Sequence, residues 1–270
     1  MRFENLEELK EKIQDFDTAI EKPIFLSNDN EGRGREIALI NRWKAIVNQS
    51  TQQIECIPKI GYKLIQHQEA FKSITDAIDT LNLKVKGRIL NYGGKVYIDI
   101  IFPDTQLELG NENMRLGIRA VNSYDCTHAL QAQAIGDVGQ TYLVLGDIIG
   151  QIRKVHVGRA TPSKIFQKLI LEIFERGETF KGQATTAMGI MVGNYLSELL
   201  RELETEYGFG KRYRKKIVDI IRQTPTPTKW DVYLAISTVI GQMNGKETTK
   251  ELYWKKASQF LKDFEIEVGD

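Results

Sequence analysis

A few short stretches of the chain carry residue types that can do chemistry. Pro103-Asp104 followed by Glu108 offers two carboxylates of the kind that hold divalent cations in a metal-dependent nuclease. That chemistry calls for a lysine two positions past the second acid, and Gly110 stands there. Asp104 reads more simply as the turn residue that closes a strand, and a metal-dependent nuclease assembled from dispersed acids is the poorer reading. Cys126-Thr-His128 offers two metal ligands, but Cys56, His67 and His156 stand at irregular spacings and do not complete a tetrahedral set. No metal or other cofactor is assigned, and no Ser or Cys sits in a nucleophile turn. Glu31-Gly-Arg-Gly-Arg35 and Gly208-Phe-Gly-Lys211 are fragments of phosphate loops that lack the remaining elements, so both read as loop punctuation. The expectation is a protein that is not an enzyme.

Cations are the remaining candidates. Lys84, Lys86 and Arg88 alternate with Leu83, Val85 and Ile89, and Arg115 and Arg119 alternate with Met114, Leu116 and Ile118. Period two is strand geometry, so these cations share one face of a sheet. With Gly93-Gly94 as a two-residue hairpin, Leu90 opposes Tyr97 and Arg88 opposes Asp99, which sets Tyr97 among the cations. Phosphate-neutralising cations beside an aromatic are the devices of a single-strand binder. An ordinary solvated face, with Arg88 paired to Asp99 across the hairpin, is the competing reading. A second basic run, Lys211-Arg-Tyr-Arg-Lys-Lys216, opens a helix and sets Lys211, Arg212, Arg214 and Lys215 around Tyr213. The acidic stretch Glu198 to Glu206 lies just before it, so internal charge balance competes there too.

These residues need positioning elements. Leu6, Leu9, Ile13 and Phe16 predict an amphipathic helix over residues 4–20, ended by Pro23. Residues 36–47 fit either a buried strand pair or a helix, with strands preferred, and Phe71, Ile74, Ile78 and Leu81 predict a helix over 68–81. Strands follow over 83–92, 95–102, 114–121 and 129–135, the last with Gln131 and Gln133 outward. Thr161-Pro162-Ser163 predicts a helix start, and helices are expected over 163–176, 184–206, 211–223, 229–243 and 248–264. The fold class is α+β: an antiparallel sheet with helices on its apolar face, then a helical C-terminal region. The expected divisions are an N-terminal extension over 1–55, the sheet core over 56–160 and the helical region over 161–270.

Composition narrows the class. Thirty-seven basic against thirty-six acidic residues give a net charge of +1, so any contact with nucleic acid must come from a local patch. Two cysteines make no disulfide framework and fit a reducing cytoplasm. The acidic start carries no signal peptide, and no apolar run is long enough to span a membrane. The expected location is cytoplasmic.

The stretch Tyr62-Lys-Leu-Ile-Gln-His-Gln-Glu-Ala-Phe71 resembles the phage/plasmid-like domain-of-unknown-function family. Gly87-Arg88-Ile89, Arg119-Ala-Val-Asn-Ser-Tyr-Asp125, Arg153-Lys-Val-His156 and Trp230-Asp-Val-Tyr-Leu-Ala-Ile236 follow in similar order, over about residues 55–240. The family often has Asn where Leu234 stands, and a more Asn-Ser-His-Asp-like segment at Asn122-Ser-Tyr-Asp125. The resemblance implies carriage on phages, prophages and plasmids, and it supplies no catalytic residues. The order of helix then sheet is also similar to single-strand annealing proteins of the Rad-fifty-two-like type, a likeness of fold alone. The expectation is a mobile-element accessory protein that binds nucleic acid, single-stranded DNA by preference, as a recombination, annealing or DNA-protecting factor. It would assemble as a homo-oligomer. The alternative is a non-enzymatic interaction module whose partner is a host defence or replication protein or a phage protein.

Overall fold

In the computed structural model the described residues are 1–28, 36–92, 94–110, 112–126, 130–138, 141–146, 150–154, 163–193, 196–243 and 247–263. The elements run β1 (Arg2–Phe3), α1 (Leu6–Gln14), β2 (Ala19–Asn28), β3 (Glu36–Asn48), β4 (Ile54–Cys56) and α2 (His67–Thr80). Then come β5 (Lys86–Asn91), β6 (Lys95–Leu109), β7 (Glu112–Ser123), β8 (Leu130–Val138), β9 (Thr141–Val144) and β10 (Gln151–Lys154). Helices α3 (Ser163–Gly189), α4 (Leu196–Thr205), α5 (Lys211–Ile221), α6 (Lys229–Gly241) and α7 (Glu247–Asp263) complete the chain. The fold is α+β, with a seven-stranded sheet in the order β1-β5-β6-β7-β8-β10, β9 also pairing β8, and a three-stranded sheet β2-β3-β4. The pairings of β1 with β5, β5 with β6, and β8 with both β9 and β10 are antiparallel, as are those of β3 with β2 and β4. None of the described helices is long and apolar enough to cross a membrane.

The chain divides into two compact units. The first is Met1–Phe102, Ile118–Gln133 and Gln151–Ile170; the second is Pro103–Gly117, Ala134–Gly150 and Leu171–Asp270.

In the first unit, α1 starts where Asn5 accepts a bond from the Glu8 backbone at 2.9 Å, and it buries Leu9 and Ile13. It stops at Gln14, well short of residue 20. The chain then enters β2, which runs through Pro23. Pro23 is tolerated because β2 is an edge strand, where a missing N–H need not break a ladder. The β5–β6 register is the expected one: Arg88 faces Asp99, Ile89 faces Ile98 and Leu90 faces Tyr97. Strand β5 begins at Lys86, so Lys84 lies in the segment before it. Gly93 lies outside the described residues.

The sheet departs from expectation in its second face. Along β6, Tyr97, Asp99 and Ile101 are as buried as Val96, Ile98, Ile100 and Phe102. On β7, Arg119 and Val121 are buried, as are Ala120 and Asn122 on the alternate positions. A strand with both faces inside has no solvated row.

Cys56 and Cys126 read in the sequence as two separate thiols. In the structure they are bonded to each other, with Cα atoms 6.1 Å apart across 70 residues of chain. Strand pairing brings them together, because β3 carries β4 and Cys56 packs against Tyr124 at the end of β7.

In the second unit, α6 is the central helix. Thr228 and Asp231 form a capping box at its start, and Trp230, Tyr233, Ile236 and Ile240 are buried. It packs against α5, α7 and β9, and Thr141 of β9 meets Thr238 at 3.2 Å. The helix expected over 184–206 is interrupted. Residues 190–192 leave α3 and bond with the segment before α6, Val192 N–H to Pro227 O and Lys229 N–H to Ile190 O, both at 2.9 Å. The Thr161-Pro162 part of the expected helix start lies outside the described residues.

Candidate nucleic-acid interface

The sheet-face cations do not form one exposed row: Lys84 is exposed, Lys86, Arg88 and Arg115 are half-buried, and Arg119 is buried. Arg119 lies in the interior, its Nε 2.6 Å from Asp99 Oδ1 and its Nη2 2.9 Å from Oδ2. Arg88 donates from Nε to the same carboxylate at 2.8 Å, and Asp99 is fully buried. Burial opposes ionisation of Asp99, but the two guanidiniums outweigh it and hold its carboxyl below the usual carboxylate range. Tyr97, expected to stack a base, is 0% exposed. Lys86 and Arg115 are half-buried. Lys84 is exposed, but it lines an open cleft of about 360 Å³ with Glu4, Glu7 and Asp79, a carboxylate-rich setting that repels phosphate. Register sets Arg88, Tyr97 and Asp99 on one face of the sheet. It does not report whether that face meets water.

Helix α5 is different. Its apolar positions Ile217 and Ile221 turn inward, and Tyr213 packs edge-on against Tyr253 of α7, with ring centroids 5.6 Å apart. That leaves Lys211, Arg214, Lys215 and Val218 at helical spacing on one stripe. With Arg212, and with Ser197 and Leu200 from α4, they line an open groove of about 790 Å³ that has no carboxylate in its wall. Arg214 is held in place by Glu204 at 2.5 Å and by the Leu200 carbonyl at 3.4 Å. Lys211, Arg212 and Lys215 are exposed.

Among the α4 acids, Glu204 pairs with Arg214 of this run. Glu202 is raised from the ordinary glutamate value, first by burial and then by Glu206 and Glu198, with Arg201 opposing. No group of α5 acts on it. The N-terminus of α5 has no side-chain cap at Gly210 and no acid in its first turn, so its partial positive charge adds to the cations. Gly208, at φ +64°, supplies the left-handed residue that ends the preceding turn, and Phe209 is buried. The glycines here are loop punctuation.

The expected carboxylate pair is separated. Asp104 does not end a strand; β6 continues through it to Leu109. Four residues of extended chain put Asp104 and Glu108 roughly 13 Å apart, too far to share one ion. Among the described residues there is no cluster of three or more His, Cys, Asp or Glu able to hold a metal. His128 and His156 lie outside them.

Sequence reasoning missed a buried polar cluster at the start of α2. The Tyr124 hydroxyl donates to Gln66 Oε1 at 2.9 Å and accepts the His67 backbone N–H at 2.9 Å. Asn122 Nδ2 lies 3.0 Å from His67 Nδ1, and the Tyr124 ring stacks on the imidazole with centroids 3.9 Å apart. Burial pushes the Tyr124 phenol above its ordinary range. His67, Asn122 and Tyr124 are each at most 1% exposed, so the cluster serves packing and cannot reach a substrate. The signal was present: two of the stretches that carry the family resemblance, Tyr62–Phe71 and Arg119–Asp125, supply these residues and meet here.

Comparison with family models, with curated proteins and with solved structures yields no match. The resemblance to the phage/plasmid-like family therefore rests on its motifs alone.

Proposed function

We propose that the protein binds nucleic acid without transforming it, with the phosphate backbone lying along the groove between α4 and α5. The observation that carries this reading is the acid-free groove wall that holds Lys211, Arg212, Arg214 and Lys215. Exposed cations release condensed counterions when they meet phosphate, which is the main source of sequence-independent affinity. Arg214, pinned by Glu204, fixes the groove's geometry, and the exposed Lys211, Arg212 and Lys215 make the contacts. The substrate we favour is single-stranded DNA, in the service of recombination, annealing or strand protection on a mobile element. The motif resemblance supports that setting.

Mobility-shift titrations with single- and double-stranded oligonucleotides at two salt concentrations test the reading. The double variant Lys211→Glu/Lys215→Glu should weaken single-strand binding by at least about tenfold. It should also flatten the log K against log salt line by roughly 1.4, about 0.7 for each lost phosphate contact. Equal affinity and slope in the folded variant would remove α5 as the interface.

A further inference from the structure

The three-stranded sheet of the first unit exposes an apolar face. Trp43 pairs directly with Lys59, Lys22 with Ala45, and Val47 with Ile54, and paired residues point the same way. Continuing the Trp43–Lys59 and Ile46–Cys56 register sets Ile57 opposite Ala45, on that same face. Trp43, Ile54 and Ile57 are 41%, 61% and 51% exposed, whereas Ala45 and Val47 are buried. The opposite face carries Ile46 and Ala19 into the core with Tyr124. It also carries Glu21, bound to Lys44 at 2.7 Å. The exposed face therefore holds an indole, aliphatic side chains and the exposed Lys22 and Lys59. Its paired described residues include no carboxylate, and Glu55, at the register shift between Ile54 and Cys56, has its carboxylate beside Gly94.

We infer that this face is a second contact surface for single-stranded nucleic acid, with bases packing on Trp43 and phosphates on Lys22 and Lys59. The inference rests on the nucleic-acid reading and deepens it by adding strand preference. Lysines without acids select a polyanion, and an exposed indole selects one whose flat apolar rings are accessible. A duplex stacks its base faces internally and offers only phosphate, so it engages the lysines and not Trp43. A protein partner would be expected to find carboxylates to meet its own cations at the rim, and the paired described residues of this face include none.

Trp43 makes the test direct, because Trp230 and Trp254 are each only 3% exposed. Titrating oligothymidylate into the full chain should quench the exposed component of tryptophan emission. A duplex of equal length should not. Trp43→Ala should abolish the quenching and weaken single-strand binding about 5- to 150-fold, the range for removal of one stacking aromatic. Lys59→Glu should weaken binding while keeping the emission signal. If oligothymidylate binds by mobility shift and α5 charge reversal weakens it, yet Trp43 emission is unchanged at saturation, this face is overturned and the α5 reading stands. If no oligonucleotide binds at all, both fall. Emission that shifts with protein concentration alone would assign the face to a second copy of the chain and overturn the inference.

Discussion

The β5–β7 strands and helix α5 both present runs of cations, and the structure gives the two runs opposite fates. On the strands, Arg88 and Arg119 converge on Asp99 inside the first unit. On α5, Lys211, Arg212 and Lys215 are exposed beside a groove without acids. The difference is one carboxylate. Asp99 stands in register with Arg88, and its neighbours on β6 are buried on both faces, so the arginines have a partner that makes their burial tolerable. The strand arginine that shares the fully buried carboxylate most closely, Arg119, belongs to the interior, whereas the α5 run, whose acid partner among the described residues is Glu204 on Arg214, stays outside.

The largest effect that separates the two regions should come from Asp99→Asn. Neutralising that carboxyl leaves two arginines without their counter-ion, one of them interior, and should cost roughly 3–5 kcal/mol in urea or thermal unfolding. Affinity per folded molecule for single strands should not change. A stable Asp99→Asn protein with weakened binding would return the strands to the interface. The same group sets an acid limit on stability. Its folded pKa lies below its unfolded value, so its contribution is complete above about pH 4 and is lost as pH falls through the depressed folded value. Wild-type unfolding free energy should therefore fall with acidification in that window, and the slope should be shallower in Asp99→Asn.

Next in size is Gly87→Ala. A Cβ at this position would overlap the carbonyl oxygen of Asp99 and come within 2.8 Å of the Phe3 ring. The backbone oxygen cannot swing away, so the substitution should cost about 1–3 kcal/mol by equilibrium unfolding. Lys211→Ala on α5 is an exposed change that should stay within about 0.5 kcal/mol. A neutral Gly87→Ala would mean that β5 is not packed against β6 and β1 as described.

The legible parts of the molecule were those set by local periodicity. The register of Arg88 with Asp99 and Leu90 with Tyr97 followed from hairpin parity, and α5, α6 and α7 were close to their expected spans. What escaped depends on distant chain. Burial of Tyr97 and Arg119 could not be read from alternation, which gives direction and not cover. The break at residues 190–192 is made by bonds to Pro227 and Lys229, far along the sequence. Trp43 was read only as part of a strand, because its exposure follows from which face of β3 the core takes. For the candidate site, the α5 run was visible as composition, but which of its cations meets an α4 acid, Arg214 with Glu204, needed the helix packing.

The smallest and most discriminating comparison is between two arginines that each meet a carboxylate. Arg214 and Glu204 are 25% and 46% exposed at their side chains, so water screens the pair and supplies alternative partners when it is broken. Arg214→Ala should therefore lower stability by no more than about 1 kcal/mol, against several for Arg119→Ala, whose partner is wholly buried. Its effect on single-strand affinity should be smaller than that of Lys211→Glu/Lys215→Glu, because Arg214's charge is already half-spent on Glu204. If Arg214→Ala instead costs as much stability as Arg119→Ala, the groove between α4 and α5 is a closed packing contact, and its cations serve the fold as those of the strands do.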